Sequence, residues 1–546
     1  MKAACIAALF VVFASSAAWA DDVGKPGASD GPPVGISPVT IKLQTVLDDN
    51  DTANGGLQHR SVTDIESGTI TAYGLTGTYR HVFVGLHSGD DYSETESLGP
   101  FTTEEGQYGG QRWRQNENGI TNVLQNAVRS DDVDARSYVA DNENPKNEVT
   151  LLGEVTTPVD AYVVQDSPPG SVPFWTFYDK KTGLVDRIEV GFLNDRRIIT
   201  FDDYRTADGI QEAWHTHMSG DNSGNDYDSR ITSDKYGVPV TSADISIPQT
   251  RQGFVTFPAG VAQVDLPSDI AIDDVGYGIT FADPLVRVTI NGRGLDMLLD
   301  SSNNGMSIDP AVAKQLGLAT YGPYDKDDHG NWYPSRSIIG SLTIGSLQMK
   351  NVYVDLSPES RFETNGSKAV GSIGYDFLAN AVVSIDYIKR TVTAYDPIQF
   401  VPPADSVPTP TNIDDGIPFV SAQIGDSIGD NFVVDTTSPA TTIYPDFWEA
   451  HPDDVKDEGG GVSLNAEYFI DPDVKATQLR SLTFGGVRFD DFNAFEYKDL
   501  QAMEGVSVDG DIGYDFLKYF TVYFDYPHRQ IFFEPNDNFK RAHHVN

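Results

Sequence analysis

The stretch "FVVDTTSPATTIYP", Phe432 to Pro445, runs apolar, β-branched residues straight into an aspartate and then into small hydroxyl residues. Phe432, Val433 and Val434 are strand formers, so Asp435 is expected at the inner end of a buried strand. A carboxylate there is costly unless it is paired or neutralised. The arrangement occurs once more: "DMLLDSSNNGMSIDP", Asp296 to Pro310, places Asp300 after apolar residues and Ser301 and Ser302 after it. Two such sites in one chain predict that the two aspartates belong together.

Working outward, the surroundings of the two aspartates repeat in the same order. "SLTIG" at Ser341 to Gly345 returns as "SLTFG" at Ser481 to Gly485, and "IGYDFL" at Ile373 to Leu378 returns at Ile512 to Leu517. Asp386-Tyr387 returns as Asp525-Tyr526. The offsets are nearly constant, so the pattern predicts a duplicated domain, with copies over 274–397 and 416–536 and a short tail over 537–546. The Pro-rich segment 398–415 reads as the linker between them. Two copies are too few for a solenoid and are expected to pair about a pseudo-twofold axis. "AVAKQLGL", Ala311 to Leu318, is the expected helix after the first aspartate loop.

Upstream, 39–250 reads as a β-rich domain of short alternating strands, such as "RHVFVGLH" at Arg80 to His87 and "GLVDRIEVGF" at Gly183 to Phe192. Thr200 to Met218 has the look of two strands joined by an Ala-Asp-Gly turn. His215 and His217 alternate onto one face of the second of these, a candidate metal pair lacking a third ligand at sensible spacing. "GDNSGNDYD", Gly220 to Asp228, is similar to a calcium loop but has no terminal Glu at the right offset, and reads as a hairpin turn.

The first twenty residues combine Lys2, a short apolar run and Ala18-Trp19-Ala20 ahead of two aspartates, which is the grammar of a cleaved secretory signal. Residues 21–38 read as a Gly/Pro-rich linker. The one cysteine, Cys5, lies in the signal, so disulfides, thiolate chemistry and cysteine-bound metals are excluded from the expected mature chain. A secreted chain of this size without disulfides fits a bacterial periplasm. The whole chain carries a net charge of −42, which opposes binding to nucleic acid or anionic membranes. No block of five or six acids occurs, and the acids are expected on a solvated surface. No membrane-spanning segment is expected after the signal.

The repeated parts resemble the two lobes of a secreted bacterial aspartic peptidase of the retropepsin and pepsin type. The fold this implies is mainly β: an antiparallel N-terminal domain followed by two closed β-barrel lobes. "KKTGLVDRIEV" and "DDYRTADGI", within Lys180 to Ile210, also resemble a lipoprotein-carrier-like half-barrel. In the peptidase family each lobe contributes an Asp-Thr/Ser-Gly triplet, and a hydrophobic-hydrophobic-Gly segment crosses behind it. The resemblance implies that Asp300 and Asp435 are the catalytic pair, that Ser301 and Thr436 cross-brace the two loops, and that Gly374 and Gly513 let the backbone pass behind them. Carboxyls about 3 Å apart share one proton, which makes their burial tolerable.

The chain departs from the family at the third triplet position, where Ser302 and Thr437 replace Gly. A side chain there is expected to crowd the carboxylate if φ is positive. Asp386 and Asp525 each begin a tight turn, "DYIKRT" and "DYPHRQ", and read as turn caps. The family's flap would correspond to Asp325–Arg336, with Trp332 or Tyr333 as substrate contact, and to Asp457–Phe469 in the second copy. The implied activity is hydrolysis of peptide bonds in a peptide or unfolded protein, by acid–base attack of water, without cofactor or metal. Two alternatives stand beside it: a non-catalytic peptide-binding relative, and a lipid or apolar-ligand carrier acting through the N-terminal domain.

Overall fold

The computed structural model describes residues 31–56, 63–85, 91–124, 148–167, 173–192, 195–220, 226–276, 279–323, 335–358, 368–414, 416–456, 474–497, 502–503 and 506–542. The expected signal, most of the leader, Trp332, Tyr333 and Asp457–Phe469 lie outside them. The chain is mainly β and divides into two units, Met1–Thr250 with Tyr321–Ser335, and Arg251–Thr320 with Arg336–Asn546.

The first unit is built on a thirteen-stranded antiparallel sheet. Two meanders, from Asp64 to Val123 and from Glu148 to Tyr236, are joined where strand Asp64–Ala72 pairs with strand Tyr227–Tyr236. Tyr73-Gly74 and Asp208-Gly209 both sit at positive φ, as two-residue hairpin turns of the primed type require. The second of these joins the strands Asp195–Ala207 and Ile210–Ser219, which is the expected Ala-Asp-Gly hairpin. Helix Leu43–Ala53 lays Val46, Leu43 and Leu47 against Ile70, Ala72, Val164, Ile188 and Ile199 of the sheet.

Not all the acids are on a solvated surface. Register sets Asp234, Glu66, His81, Glu94 and Glu105 side by side across five adjacent strands. Glu66, His81, Glu94 and Glu105 are buried. Tyr79 donates its hydroxyl to Glu66 at 2.7 Å. Burial, with the charges of Glu105, Glu96 and Glu66, pushes the Glu94 carboxyl well above the usual range. Alternation along any one strand hides this row, because each strand contributes a single member and pairing register alone aligns them.

The second unit repeats one topology. Strand Arg293–Leu299, which leads to Asp300, pairs antiparallel with Ile279–Ile290 and parallel with Gly371–Ile373. Met306–Ile308 then joins Gly371–Ile373 antiparallel and Leu347–Leu356 parallel. Strand Ser427–Val434, which leads to Asp435, pairs in the same way with Ile417–Ile424 and Gly510–Ile512. Thr442–Ile443 joins Gly510–Ile512 antiparallel and Val487–Tyr497 parallel. After each Gly-containing strand comes one helical turn, Tyr375–Leu378 or Tyr514–Leu517, whose Phe and Leu are fully buried. The helix after the first aspartate loop is Pro310–Gln315, capped by Asp309, whose side chain accepts from the Val312 amide.

The two copies share a six-stranded sheet in the order Gln263–Leu266, Thr391–Tyr395, Val382–Asp386, Phe520–Asp525, Gln530–Pro535, Val407–Pro410. Its order is symmetric about the central pairing of Val382–Asp386 with Phe520–Asp525. This sheet corrects two expected boundaries. Segment 398–415 is not only a linker: Val407–Pro410 forms one edge of the sheet, and Asn412–Asp414 pairs with Ile417–Ile424. An edge strand tolerates Pro408 and Pro410 because the missing N–H groups are not needed on its open side. The opposite edge, Gln263–Leu266, lies upstream of residue 274, as does Val255–Thr256, which pairs with Leu347–Leu356. The second unit begins at Arg251, upstream of the expected start of the first copy. At the other end, the tail over 537–546 opens with a short helix, Asp537–Ala542.

Candidate active site

Each aspartate sits where its strand ends, held from behind. The Asp300 amide donates to Ile373 O at 2.9 Å, and the Asp435 amide to Ile512 O at 3.1 Å. The next residue on each rear strand is a glycine pressed against the loop. A Cβ on Gly374 would stand 2.2 Å from Asn303 O, and one on Gly513 would stand 2.6 Å from Ala440 O. Their φ values are −124° and −101°, so close approach, and not a left-handed backbone, is what demands glycine here.

Ser301 and Thr436 tie the loops together reciprocally. The Ser301 amide donates to Thr436 Oγ1 at 3.0 Å, and the Thr436 amide donates to Ser301 Oγ at 3.0 Å. The hydroxyls pass the bonding on: Ser301 Oγ donates to Val434 O at 2.6 Å, and Thr436 Oγ1 to Leu299 O at 2.8 Å. All four bonds are buried, where leaving any partner unmet is expensive. A fifth crossing comes from the second copy's Tyr526, whose hydroxyl donates to Ser301 O at 2.9 Å.

This bracing brings Asp300 and Asp435 close enough to act on each other electrostatically. Burial pushes the Asp300 carboxyl up to about 7, the charge of Asp435 pushes the same way, and hydrogen bonds from Ser302 and Asn303 oppose them. Asp300 Oδ1 accepts from the Ser302 amide at 2.9 Å and the Ser302 hydroxyl at 2.8 Å. Asp435 Oδ1 accepts from the Thr437 amide at 2.7 Å, the Thr437 hydroxyl at 2.8 Å and the Ser438 amide at 3.2 Å.

The expected crowding by Ser302 and Thr437 is therefore not what the structure shows. Neither residue is among those at positive φ. Each keeps the amide bond that a glycine would make and adds a hydroxyl donor to the same carboxylate oxygen.

Asp386 and Asp525 cap turns. Asp386 Oδ1 accepts from the amides of Ile388 and Lys389 at 3.0 and 2.9 Å, and Asp525 Oδ1 from the amide of His528 at 3.3 Å. Arg390 and Arg529 take matching left-handed conformations, with φ of 56° and 55°. His215 is engaged on both ring nitrogens, by Asp202 at 2.9 Å and Asp228 at 2.7 Å, and His217 lies 3.6 Å from Asp228. Register puts Asp202 opposite His215 and Asp228 opposite His217, so the histidines stand in a ladder with two carboxylates and His215 has both ring nitrogens engaged. Among the described residues, Asp64, Glu66 and Asp234 are the group whose ligand atoms lie within 4.8 Å of one another.

One residue that sequence reasoning passed over belongs to this neighbourhood. Asp511 stands on the strand behind Asp435, opposite Val433. It accepts hydrogen bonds from the hydroxyls of Tyr444 and Thr442, the latter at 3.2 Å. Burial and the charge of Asp435 push it up to about 7. The signal was present in the repeat: "GSIGYDFL" in the first copy becomes "GDIGYDFL" in the second, so Asp511 replaces Ser372. In the first copy Ser372 Oγ instead meets Asn303 Nδ2 at 2.5 Å and Ser307 Oγ at 2.6 Å.

A family model described as aspartyl protease matches residues 286–377. That span holds Asp300 and Gly374. No curated protein matches the chain. Among solved structures, an aspartic proteinase from Irpex lacteus is 14% identical, covering 50% of this chain and 98% of its own, with a TM-score of 0.29. A retropepsin-like aspartic protease from Rickettsia conorii is 15% identical, covering 23% and 89%, with a TM-score of 0.17. A LolA superfamily protein from Nitrosomonas europaea is 11% identical, covering 38% and 98%, with a TM-score of 0.28. Among the described residues no helix is long and apolar enough to cross a membrane.

Proposed function

We propose that the second unit is an aspartic-type endopeptidase whose acid pair is Asp300 and Asp435, one from each copy. The observation that carries this is the reciprocal bracing by Ser301 and Thr436, which fixes the two carboxyl-bearing loops against each other. Burial and the charge of Asp435 let Asp300 keep its proton toward neutral pH, and close carboxyls of this kind share one proton. In the reaction the ionised carboxyl takes a proton from water as its oxygen attacks the scissile carbonyl carbon. The protonated carboxyl gives its proton to the carbonyl oxygen, forming a gem-diol; as the C–N bond breaks, the proton taken from water goes to the leaving nitrogen and a diol hydroxyl returns a proton to the carboxylate that had donated, restoring the pair. No covalent intermediate and no metal is required. The substrate on this reading is an extended peptide or an unfolded protein, met in the periplasm after signal removal.

The test is hydrolysis of an unfolded protein across pH by the wild type, Asp300→Asn and Asp435→Asn. Activity should be present below about pH 7 and decline as Asp300 loses its proton. Each substitution should lower it by a factor on the order of 10³ or more, because neither carboxyl alone supplies both acid and base. Equal hydrolysis by all three proteins would refute the assignment. Peptide binding by all three with cleavage by none would favour the non-catalytic reading. A carrier role for the N-terminal unit has less support: Leu43, Val46 and Leu47 of helix Leu43–Ala53 pack into the apolar cluster of its sheet, and the buried acid row lies on that same face, since Glu66 is in phase with Ile70 and Ala72.

A further inference from the structure

Resting on the assignment of Asp300 and Asp435 as an acid pair, the geometry points to Asp511 as a third acid of the site, a positioning residue that extends upward the pH range over which the pair keeps its one proton. Strand Gly510–Ile512 lies parallel to strand Ser427–Val434, with Asp511 opposite Val433, two residues before Asp435. The Asp435 amide is bonded to the carbonyl of the very next residue, Ile512. Asp511 is therefore fixed to the same short piece of backbone that fixes Asp435.

Its carboxyl is also fixed. The hydroxyls of Thr442 and Tyr444, from the segment that follows the Asp435 loop, both donate to Oδ2. Two hydroxyl donors favour the ionised form and leave the carboxyl one orientation. Asp300, Asp435 and Asp511 are each only partly exposed, so their mutual repulsion is weakly screened.

The groups around Asp511 are of one sign or neutral. Asp435 at the end of Ser427–Val434 is the charge acting on it, and Thr442 and Tyr444 are neutral donors. Tyr526 and Tyr387, which also feel Asp435, are neutral below pH 10. On Val487–Tyr497, Glu496 stands opposite Ile443 and lies 3.9 Å from Lys475. Among the described residues, Asp435 is the charged group that acts on Asp511.

The consequence has a definite sign. When Asp511 ionises, its negative charge opposes the second ionisation of the pair, so the last shared proton is held to higher pH. Removing that charge should let the proton leave at lower pH. The first copy has serine at this place, so the effect belongs to one side of the pair.

Two readouts on the full-length protein test this: the pH–rate profile of peptide hydrolysis, and the carboxyl titration followed by ¹³C NMR of labelled aspartates. The proteins are the wild type, Asp511→Ser, Asp511→Asn and Asp511→Glu. The Ser and Asn variants should shift the alkaline limb and the titration midpoint of the pair downward by about one pH unit, and Glu should restore part of the shift. An unchanged midpoint in both folded neutral variants overturns the inference. Should the wild type cleave no peptide while the midpoint still shifts, the third acid stands and the peptidase assignment falls. The Asn variant, nearly isosteric, guards against a shift caused by lost packing.

Discussion

The two aspartate loops follow one plan and differ in what stands behind them. Both use a rear glycine, a cross-bracing hydroxyl and a carboxylate cradled by an amide and a hydroxyl two residues on. Behind Asp300, Ser372 closes a neutral hydrogen-bonded cluster with Asn303 and Ser307. Behind Asp435 the same position is Asp511, a carboxyl held by Tyr444 and Thr442. The two loops thus share the rear glycine, the bracing hydroxyl and the amide–hydroxyl cradle, and differ most in the charge beside them. The lesson is that symmetry of support need not bring symmetry of charge: the frame is set by sterics and backbone hydrogen bonds, whereas one substitution on a partly exposed position changes the electrostatics.

The comparison can be broken most forcefully at the glycines. Gly374→Ala and Gly513→Ala should each lower stability by about 3 kcal/mol, because the added carbon meets backbone and not a yielding side chain. Gly374→Ala should be the worse, since its Cβ would lie 2.2 Å from a carbonyl oxygen against 2.6 Å at Gly513. Denaturant melts of both variants check this, and equal stability with the wild type would mean that the loops can move away.

A smaller effect is expected at the bracing residues. Ser301→Ala and Thr436→Val each strip one buried hydroxyl that both donates and accepts across the two loops. A loss of about 2 kcal/mol is expected for either, with the double variant costing less than the sum because the bonds are shared. A double-mutant cycle measures the coupling. Strict additivity would show that the two loops are held independently.

The smallest effect sharpens the comparison without disturbing the frame. Ser302→Ala removes the hydroxyl that donates to Asp300 Oδ1 and keeps the amide donor. A donor to the ionised form lowers a carboxyl's pKa, so its loss should raise that of Asp300 and move the alkaline limb upward by about half a pH unit. This is opposite in sign to the shift expected at Asp511. Thr437→Val makes the matching change beside Asp435, and a pH–rate profile of each variant shows whether the two hydroxyls do equal service.

Much of this site was legible in the chain itself. Asp300 and Asp435 stand out because the arrangement around them occurs twice, in order, at near-constant spacing, whereas the place of Gly374 and Gly513 behind them came from family resemblance. Ser301 and Thr436 could be assigned only through family resemblance, since nothing in a hydroxyl's neighbours says that it will meet a loop 135 positions away. The reading of Ser302 and Thr437 as obstacles failed because φ is not visible in sequence. The edge role of Val407–Pro410 was hidden by its prolines, which mark a linker and an edge strand alike.

The sequence by itself determined that the chain would be mainly β, that two aspartates would end buried strands, and that their surroundings would be repeated. Such features are local: strand propensity, the apolar run and the small residue after it are written in adjacent letters. Only the tertiary structure decided that Ser301 and Thr436 exchange bonds, that Asp511 stands behind Asp435, and that four acids and His81 from five strands of the first unit line up in one row. These depend on pairing register between distant segments, and register follows from the whole set of strands folding together. A one-residue slip would send every one of those side chains to the opposite face.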